Sequence, residues 1–404
     1  MKKTILFAGL MMVAAMFIGC NNEHSPYTST TKLWPACSVS KDAQGIEKYN
    51  WGYIDEKGNF AIPASYAEAN EFSCGYASVY VSDKLYYIDE KNNIQNAPEM
   101  ENVGIVYFLY DYLRYVSPSG LYGMLNKSFE IVIQPAYVNL GVMTDGGLVA
   151  FRQSKGDKVG FLNKKGEVVI TPLYDYANDF DAGYAVVEMG DSYGVIDKTG
   201  EFTYSLQSNK WLQNVGGERI GFYDKDNKKY GLMDGKGNIV VQAIFDEWDG
   251  IGFTDADLMA VESNEKWGYI DKNGKMRIAS QFAGALSFCD GKAWVKRTET
   301  SNYETIDENG KTLLTLGKNE APRGMWRQGL CLVAKLSETD YSYEYRYINE
   351  KGATVYTWKV SGANVAGGGD DWDAPVKKAF KNGNRMNNIE MMKGTKWAYR
   401  TERI

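Results

Sequence analysis

Read from Tyr174, apolar and polar residues alternate in short runs that turn clusters interrupt every five to seven positions. Tyr174-Asp175-Tyr176-Ala177-Asn178-Asp179-Phe180 predicts a first strand, the most polar of its group. Asp181-Ala182-Gly183 predicts a turn, and Tyr184-Ala185-Val186-Val187-Glu188-Met189 a strongly apolar second strand. Gly190-Asp191-Ser192 turns the chain into a third strand, Tyr193-Gly194-Val195-Ile196-Asp197. Lys198-Thr199-Gly200 closes a hairpin, and Glu201 to Leu206 forms a fourth strand. Gly200 is where a three-residue hairpin loop with a bulge needs positive φ. Four strands in about 36 residues leave no room for a helix.

The third strand and its hairpin recur nine times, starting at positions 51, 85, 122, 159, 193, 230, 267, 303 and 345. Trp51-Gly52-Tyr53-Ile54-Asp55-Glu56-Lys57-Gly58 and Trp267-Gly268-Tyr269-Ile270-Asp271-Lys272-Asn273-Gly274 are nearly the same. Three copies lose the first Gly: Tyr86, Glu304 and Arg346 stand in its place. A Gly inside a strand weakens it, so its recurrence predicts a neighbour in close approach. A large aromatic ring laid over the bare backbone is the expected neighbour. Pro63, Pro135 and Pro172 come near the end of the fourth strand and mark a strand end or edge.

One such sheet has two apolar faces and cannot stand alone, so neighbouring units must stack. The fold class is all-β, built of antiparallel four-stranded repeat units. A β-propeller is favoured, with an open β-repeat superhelix as the alternative. Leu33 to Val39 resembles a second strand whose first strand is missing. In a closed array the chain after Gly352 would supply it.

The aromatic-Gly phrase, the Asp-x-x-Gly turn and the stretch Phe180-Asp181-Ala182-Gly183-Tyr184-Ala185-Val186-Val187 resemble the bacterial WG-repeat, or KWG-repeat, family. The resemblance covers roughly residues 33–358. It implies a β-rich array, often in secreted or lipid-anchored proteins, and no shared active site. The missing Gly at Tyr86, Glu304 and Arg346 puts regular packing in doubt at those units.

The N-terminus changes the picture of location. Met1-Lys2-Lys3 precedes an apolar run from Ile5 to Ile18, about 14 residues long, shorter than a membrane-spanning helix needs. Phe17-Ile18-Gly19-Cys20 resembles a bacterial lipobox, in which Cys20 is lipidated after residues 1–19 are removed. Residues 20–32 read as a flexible polar tether, 33–358 as the repeat domain, and 359–404 as a divergent segment that could close the array. The expected location is the bacterial cell envelope, lipid-anchored at the outer membrane.

Charge and chemistry then narrow the function. Lys2 and Lys3 leave with residues 1–19, so 43 of the 45 basic residues remain against 51 acidic ones, a net charge of −8. With no basic block, nucleic acid is excluded as a partner, and contact with the membrane is expected through the anchor alone. The one His, His24, lies in the tether. Ser-His-Asp and Cys-His catalysis and His-based zinc sites are therefore excluded from the repeats. Cys37, Cys74, Cys289 and Cys331 show no CxxC spacing. Cys74 and Cys289 are read as occupying the same place in two repeats, before the Gly of a turn, and all four as small buried apolar residues.

No cofactor, metal or catalytic residue is expected. The favoured function is a non-enzymatic binding or scaffold module, a monomer whose partner is protein, peptide or glycan. A carbohydrate-active hydrolase using a carboxylate pair and a passive surface spacer are the alternatives. Function is expected in loops between second and third strands, most of which are short. Two longer ones stand out: 224–229, with Asp224 and Asp226, and 337–344, with Tyr341 and Tyr343. Asp224 and Asp226 begin like a calcium loop, but no Gly stands at the sixth position and no Glu at the twelfth. Trp372, in the Gly-rich stretch 367–373, completes the candidate binding residues.

Overall fold

The computed structural model describes residues 31–100, 107–144, 146–254 and 256–361. The predicted signal segment, Cys20 and Trp372 lie outside the described residues. Within them every regular element is a strand, and the strands form nine antiparallel sheets in chain order. The fold class is the β-propeller with nine blades, and each predicted phrase enters a different one. Blades 1 to 9 span residues 34–66, 68–89, 112–137, 139–174, 176–207, 210–245, 247–282, 284–315 and 320–360. Blades 1, 2 and 3 have three strands and the other six have four. In blade 5 the strands are Tyr176–Ala177, Tyr184–Met189, Ser192–Asp197 and Phe202–Gln207. The first is only two residues long, as in blades 2, 4, 7 and 8.

The hairpin after the third strand is held the same way in all nine blades. The Asp or Asn that ends the strand accepts the backbone N–H groups two and four residues on. Asp55 Oδ1 takes those of Lys57 and Asn59, both at 2.9 Å. Asn163 Oδ1 takes those of Lys165 at 2.9 Å and Glu167 at 3.1 Å. The side chain thereby satisfies donors the turn strands away from the ladder. The residue three positions on carries positive φ, 84° at Gly58 and 88° at Gly200; Asn92 and Phe129 take that position in blades 2 and 3, at 67° and 61°. A Cβ on Gly200 would meet Ile170, on the outer strand of the preceding blade, at 3.3 Å. Gly166 meets Ile133 and Gly274 meets Val241 in the same way. In these blades the turn therefore packs the sheet on the one before it.

The Gly of the aromatic-Gly pair meets backbone of the outer strand in every copy, and the expected ring joins it in four: Tyr115 at Gly123, Phe151 at Gly160, Phe202 at Gly194 and Phe222 at Gly231. A Cβ on Gly52 would lie 2.5 Å from the Ile62 carbonyl oxygen and 2.7 Å from Ala64 N. These atoms belong to the adjacent outer strand of the same sheet. Trp51 pairs with Tyr66 and Tyr53 with Ile62, so three residues face one. That excess is a bulge, and Pro63 sits in it, where no ladder N–H is required. Gly and Pro, which look like separate signals in the sequence, are two sides of one bulge. Rings add to the contact in some blades: Phe151 Cε1 would lie 3.0 Å from a Cβ on Gly160, beside the Ile170 oxygen at 2.6 Å.

Where Gly is lost, the bulge is lost with it. Glu304 pairs with Thr315 and Thr305 with Leu314 without a shift. Arg346 pairs with Thr357 between two regular neighbours. Blades 8 and 9 are regular rather than disrupted, because a straight ladder leaves room for a Cβ. In blade 2, at Tyr86, the outer strand is reduced to the bridge between Ile88 and Ile94.

The chain divides into two compact units. One holds residues 31–95 and 281–361 of the described chain, and the other holds the described part of 96–280. In the second unit, apolar faces meet between successive blades: Phe161 and Ile170 of blade 4 against Ala185, Val187 and Ile196 of blade 5. Burying each such Ile, Val or Phe contributes about 1.5–3 kcal/mol. In the first unit, blade 1 packs on blade 9 through Trp34, Cys37, Ile54, Leu330, Tyr347 and Trp358. A Cβ on Gly58 would lie 2.2 Å from the Val355 oxygen, so this join repeats the turn-on-outer-strand contact of the other blades. The missing first strand of blade 1 is not supplied by residues 353–361. That stretch forms the outer strand Thr354–Val360 of blade 9 instead.

The four cysteines are free and buried. Burial pushes the thiols of Cys37 and Cys331 up to about 12, against a backbone hydrogen bond at Cys37 and one from Trp294 at Cys331. Cys74 and Cys289 are one position out of register, a correction to their predicted equivalence. Cys74 takes the first turn position, with φ 52°, whereas Cys289 sits before Asp290, which takes that position with φ 55°. Thr31 and Lys32, expected in the tether, are held: Thr31 is buried and donates to Glu90, and Lys32 pairs with Glu56 at 3.0 Å.

Candidate functional site

Loops between second and third strands do lie with the crossings between blades, because the crossing residues bind them. In the second unit, Asp175 follows the outer strand of blade 4 and accepts Gly190 N of blade 5 at 2.9 Å. It also pairs with Lys158 of its own blade. Those two partners hold its carboxyl below the usual range, the Lys158 hydrogen bond most of all. Asp246 repeats the arrangement two blades later, with Asn264 N at 2.9 Å and Lys229. The Asp after the last aromatic of an outer strand, as in Tyr174-Asp175 and Phe245-Asp246, is a legible signal for this joint. It went unread because a lone Asp in a turn is common.

The predicted loop at 224–229 is a tight connection. Asp224 pairs with Lys229 at the strand ends, and its Oδ1 accepts Asp226 N at 3.0 Å. Asp226 Oδ2 accepts Asn209 Nδ2 at 3.0 Å, and Lys225 Nζ reaches the Ser208 oxygen at 2.8 Å. Both carboxylates are turned into the protein's own donors. No group of three or more His, Cys, Asp or Glu able to hold a metal occurs among the described residues.

At 337–344 the two tyrosines part. Tyr343 begins a strand and is buried, its ring under Arg323 at 5.4 Å and tilted against Tyr345 at 6.1 Å. Tyr341 is 70% exposed and holds φ 52°, unusual for a residue with an aromatic side chain. The loop around it is braced. Tyr341 N donates to the Ser337 oxygen at 3.1 Å, and Ser342 Oγ donates to Asp340 Oδ1 at 2.6 Å. Asp340 Oδ2 pairs with Lys359 at 3.0 Å. Hydrogen bonds from Ser337, Ser342 and Lys359 hold the Asp340 carboxyl well below its ordinary value. Four further loops of this class exceed the two-residue form, at 42–46, 117–121, 153–158 and 297–303. The sequence reading missed them because their ends carry strand-like residues.

A second cluster was also missed. Glu247 and Glu262 face each other across the first two strands of blade 7. Burial pushes the Glu247 carboxyl up to about 7, against hydrogen bonds from Trp248 N and Tyr230 and with help from Glu262 and Asp246. Glu262 is raised as well, by burial first and then by Asp246 and Glu265. Asp246 beside them is lowered: Lys229 and Asn264 N outweigh its burial. Neighbouring carboxyls held on opposite sides of their normal range can serve as proton donor and acceptor. Only the strand register reveals that Glu262 faces Glu247, fifteen residues apart in the chain.

Asp179 braces the preceding blade. Its Oδ2 accepts Val142 N at 3.1 Å in the preceding blade, and a Cβ on Gly141 would lie 2.2 Å from its Oδ1. Burial pushes its carboxyl up to about 6, against bonds from Val142 N and Ala150 N and the nearby Arg114.

With nine antiparallel blades in place, comparison with known proteins concerns the fold and the repeat. No curated protein matches the chain. The crystal structure of the eukaryotic initiation factor is similar over 80% of this chain and 96% of its own, at 12% identity and a TM-score of 0.50. At that identity the likeness is one of fold. Virginiamycin B lyase from Staphylococcus aureus overlays more loosely, at 15% identity and a TM-score of 0.30, over 60% of this chain and 89% of its own. Five stretches, residues 51–84, 122–156, 160–192, 230–267 and 267–298, match the family model of the WG containing repeat. All five fall on Gly-bearing copies of the phrase, so this chain is a β-propeller with five stretches that match the WG containing repeat.

Proposed function

We propose that the protein is an envelope lipoprotein, anchored through Cys20, whose propeller is a non-enzymatic module that binds a protein, peptide or glycan. The observation that carries this reading is Tyr341. A braced loop holds an aromatic side chain in water at the expense of a left-handed backbone, and a rigid, exposed Tyr is the kind of group that anchors an interface. The residues the repeats share support it by contrast. Their Gly faces a bulge and their Asp closes a turn, so recognition falls to the residues that vary.

A photo-crosslinking amino acid at position 341, with another at the exposed Lys155 as control, tests this in envelope extracts. The expected result is one saturable adduct at 341, competed by unlabelled protein. Equal labelling at both positions refutes the loop as an interface. Palmitate incorporation that persists in Cys20→Ala removes the anchor.

The second reading is a hydrolase that uses a carboxylate pair, and Glu247 facing Glu262 across the first two strands of blade 7, with Asp246 beside them, is the cluster that favours it. Turnover of an envelope polysaccharide that vanishes in both Glu247→Gln and Glu262→Gln would establish it over the first. Absence of turnover across a glycan panel leaves the binding module.

A further inference from the structure

Blade 1 begins with a strand, Trp34–Lys41, that among the described residues pairs with another strand on one side only. Asp42 N donates to the Ile46 oxygen, and the register then places the even-numbered residues of this strand in hydrogen-bonded pairs with Glu47–Ile54. The odd-numbered residues turn their carbonyls to the free edge. In blades 4 to 9 a first strand covers that edge.

Here three side chains of blade 9 cover it. Arg327 Nη2 donates to the Leu33 oxygen at 2.7 Å. Tyr347 Oη donates to the Pro35 oxygen at 3.0 Å. Tyr356 Oη donates to the Cys37 oxygen at 3.0 Å. The three acceptors are alternate residues, with the two-residue spacing that a paired strand would use. Arg327 is fixed in turn. Its guanidinium lies 5.5 Å from the Trp34 ring centre and 2.6 Å from Glu71 Oε2, and its own carbonyl accepts Trp34 Nε1 at 3.2 Å.

We propose that this ladder of side chains replaces the missing strand and acts as the clasp between the first blade and the last, so that the join opens there when the ladder is weakened. A strand edge is zipped by many backbone bonds, whereas this edge rests on three side chains that can leave one at a time. The clasp thus makes the join a controllable point of opening in a fold whose other blades are linked by continuous chain.

Cys37 provides the readout. Its side chain is fully buried in the blade 1–blade 9 core, and a buried thiol reacts only when its surroundings open. The test is native-state labelling of the intact protein with a maleimide, read cysteine by cysteine by peptide mass spectrometry. Tyr347→Phe and Tyr356→Phe keep the rings and remove one hydroxyl each, leaving a buried carbonyl unpaired. Each should speed labelling of Cys37 about tenfold and the pair about a hundredfold, with Cys289 in blade 8 unchanged. Equal acceleration of Cys37 and Cys289 would mean general unfolding and overturn the clasp, as would an unchanged Cys37 rate in the double variant. In the unaltered protein Cys37 should already react faster than Cys289. The reverse order would place the first opening elsewhere.

Discussion

Replacing Gly52 by Ala adds one methyl group at a place where three backbone atoms stand in its way. The new Cβ would lie 2.5 Å from the Ile62 oxygen, 2.7 Å from Ala64 N and 2.7 Å from the Pro63 carbonyl carbon. No flexible side chain is among them, so the bulge itself must move. It is fixed at both ends by the Trp51–Tyr66 and Tyr53–Ile62 pairs, and Tyr53, Ile62 and Tyr66 are all buried. Forcing an extra methyl into a packed site costs typically 1–3 kcal/mol. With a backbone that cannot yield cheaply, the upper part of that range is expected, about 2–3 kcal/mol. Gly324 is the control. It has ordinary φ and open space where a Cβ would stand, with no atom within 4 Å, so Gly324→Ala should be neutral or stabilise by up to about 1 kcal/mol. Urea denaturation followed by tryptophan fluorescence would compare the two midpoints. If Gly52→Ala costs no more than Gly324→Ala, the close approach is not the reason for Gly at this position.

Three further outcomes follow from the same geometry. Asp197→Ala removes the acceptor of Thr199 N at 2.8 Å and Glu201 N at 3.2 Å and should cost about 1 kcal/mol, read as a lower urea midpoint. Asp197→Asn should cost almost nothing, since Asn126, Asn163 and Asn349 do this work in their own blades; equal losses in both variants would show that charge, not acceptance, matters. Glu247→Gln should be indistinguishable from the parent near pH 4, where the carboxyl is protonated folded or unfolded. Its raised folded-state value makes ionisation a cost that grows from the unfolded range, near 4.5, up to about 7, so by pH 8 the Gln variant should be more stable by about 1–3 kcal/mol. A pH-independent difference in midpoint would contradict that assignment.

Most of the architecture was legible because repetition averages out the ambiguity of any one strand. Nine copies of the phrase gave nine blades, and the Asp-x-x-Gly turn could be read from one copy, since all its hydrogen bonds are local. The Gly of the aromatic-Gly pair was legible as a close approach, and rings do press on it in four copies, but the backbone of the outer strand that meets it in every copy was not legible. The atoms that press on Gly52 come from Ile62 to Ala64, and pattern alone does not tell a bulge from a ring. Asp224 and Asp226 looked like candidate ligands because their partners, Asn209 and the Asp226 amide, are set by the fold. Tyr341 and Tyr343 are two residues apart and looked alike. A strand begins between them, and that alone leaves one in water and buries the other.

The sequence by itself determined the repeat, its strand order and its hairpins, because these depend on periods and turn residues within about ten positions of each other. Tertiary structure decided which side chains remain available for chemistry. It set Glu262 opposite Glu247, turned Asp179 into a brace for the neighbouring blade, and brought Arg327, Tyr347 and Tyr356 to carbonyls some three hundred residues earlier. Those contacts have no local signature: an unpaired strand edge accepts any donor that the packing of its neighbour delivers, and packing is a property of the whole fold.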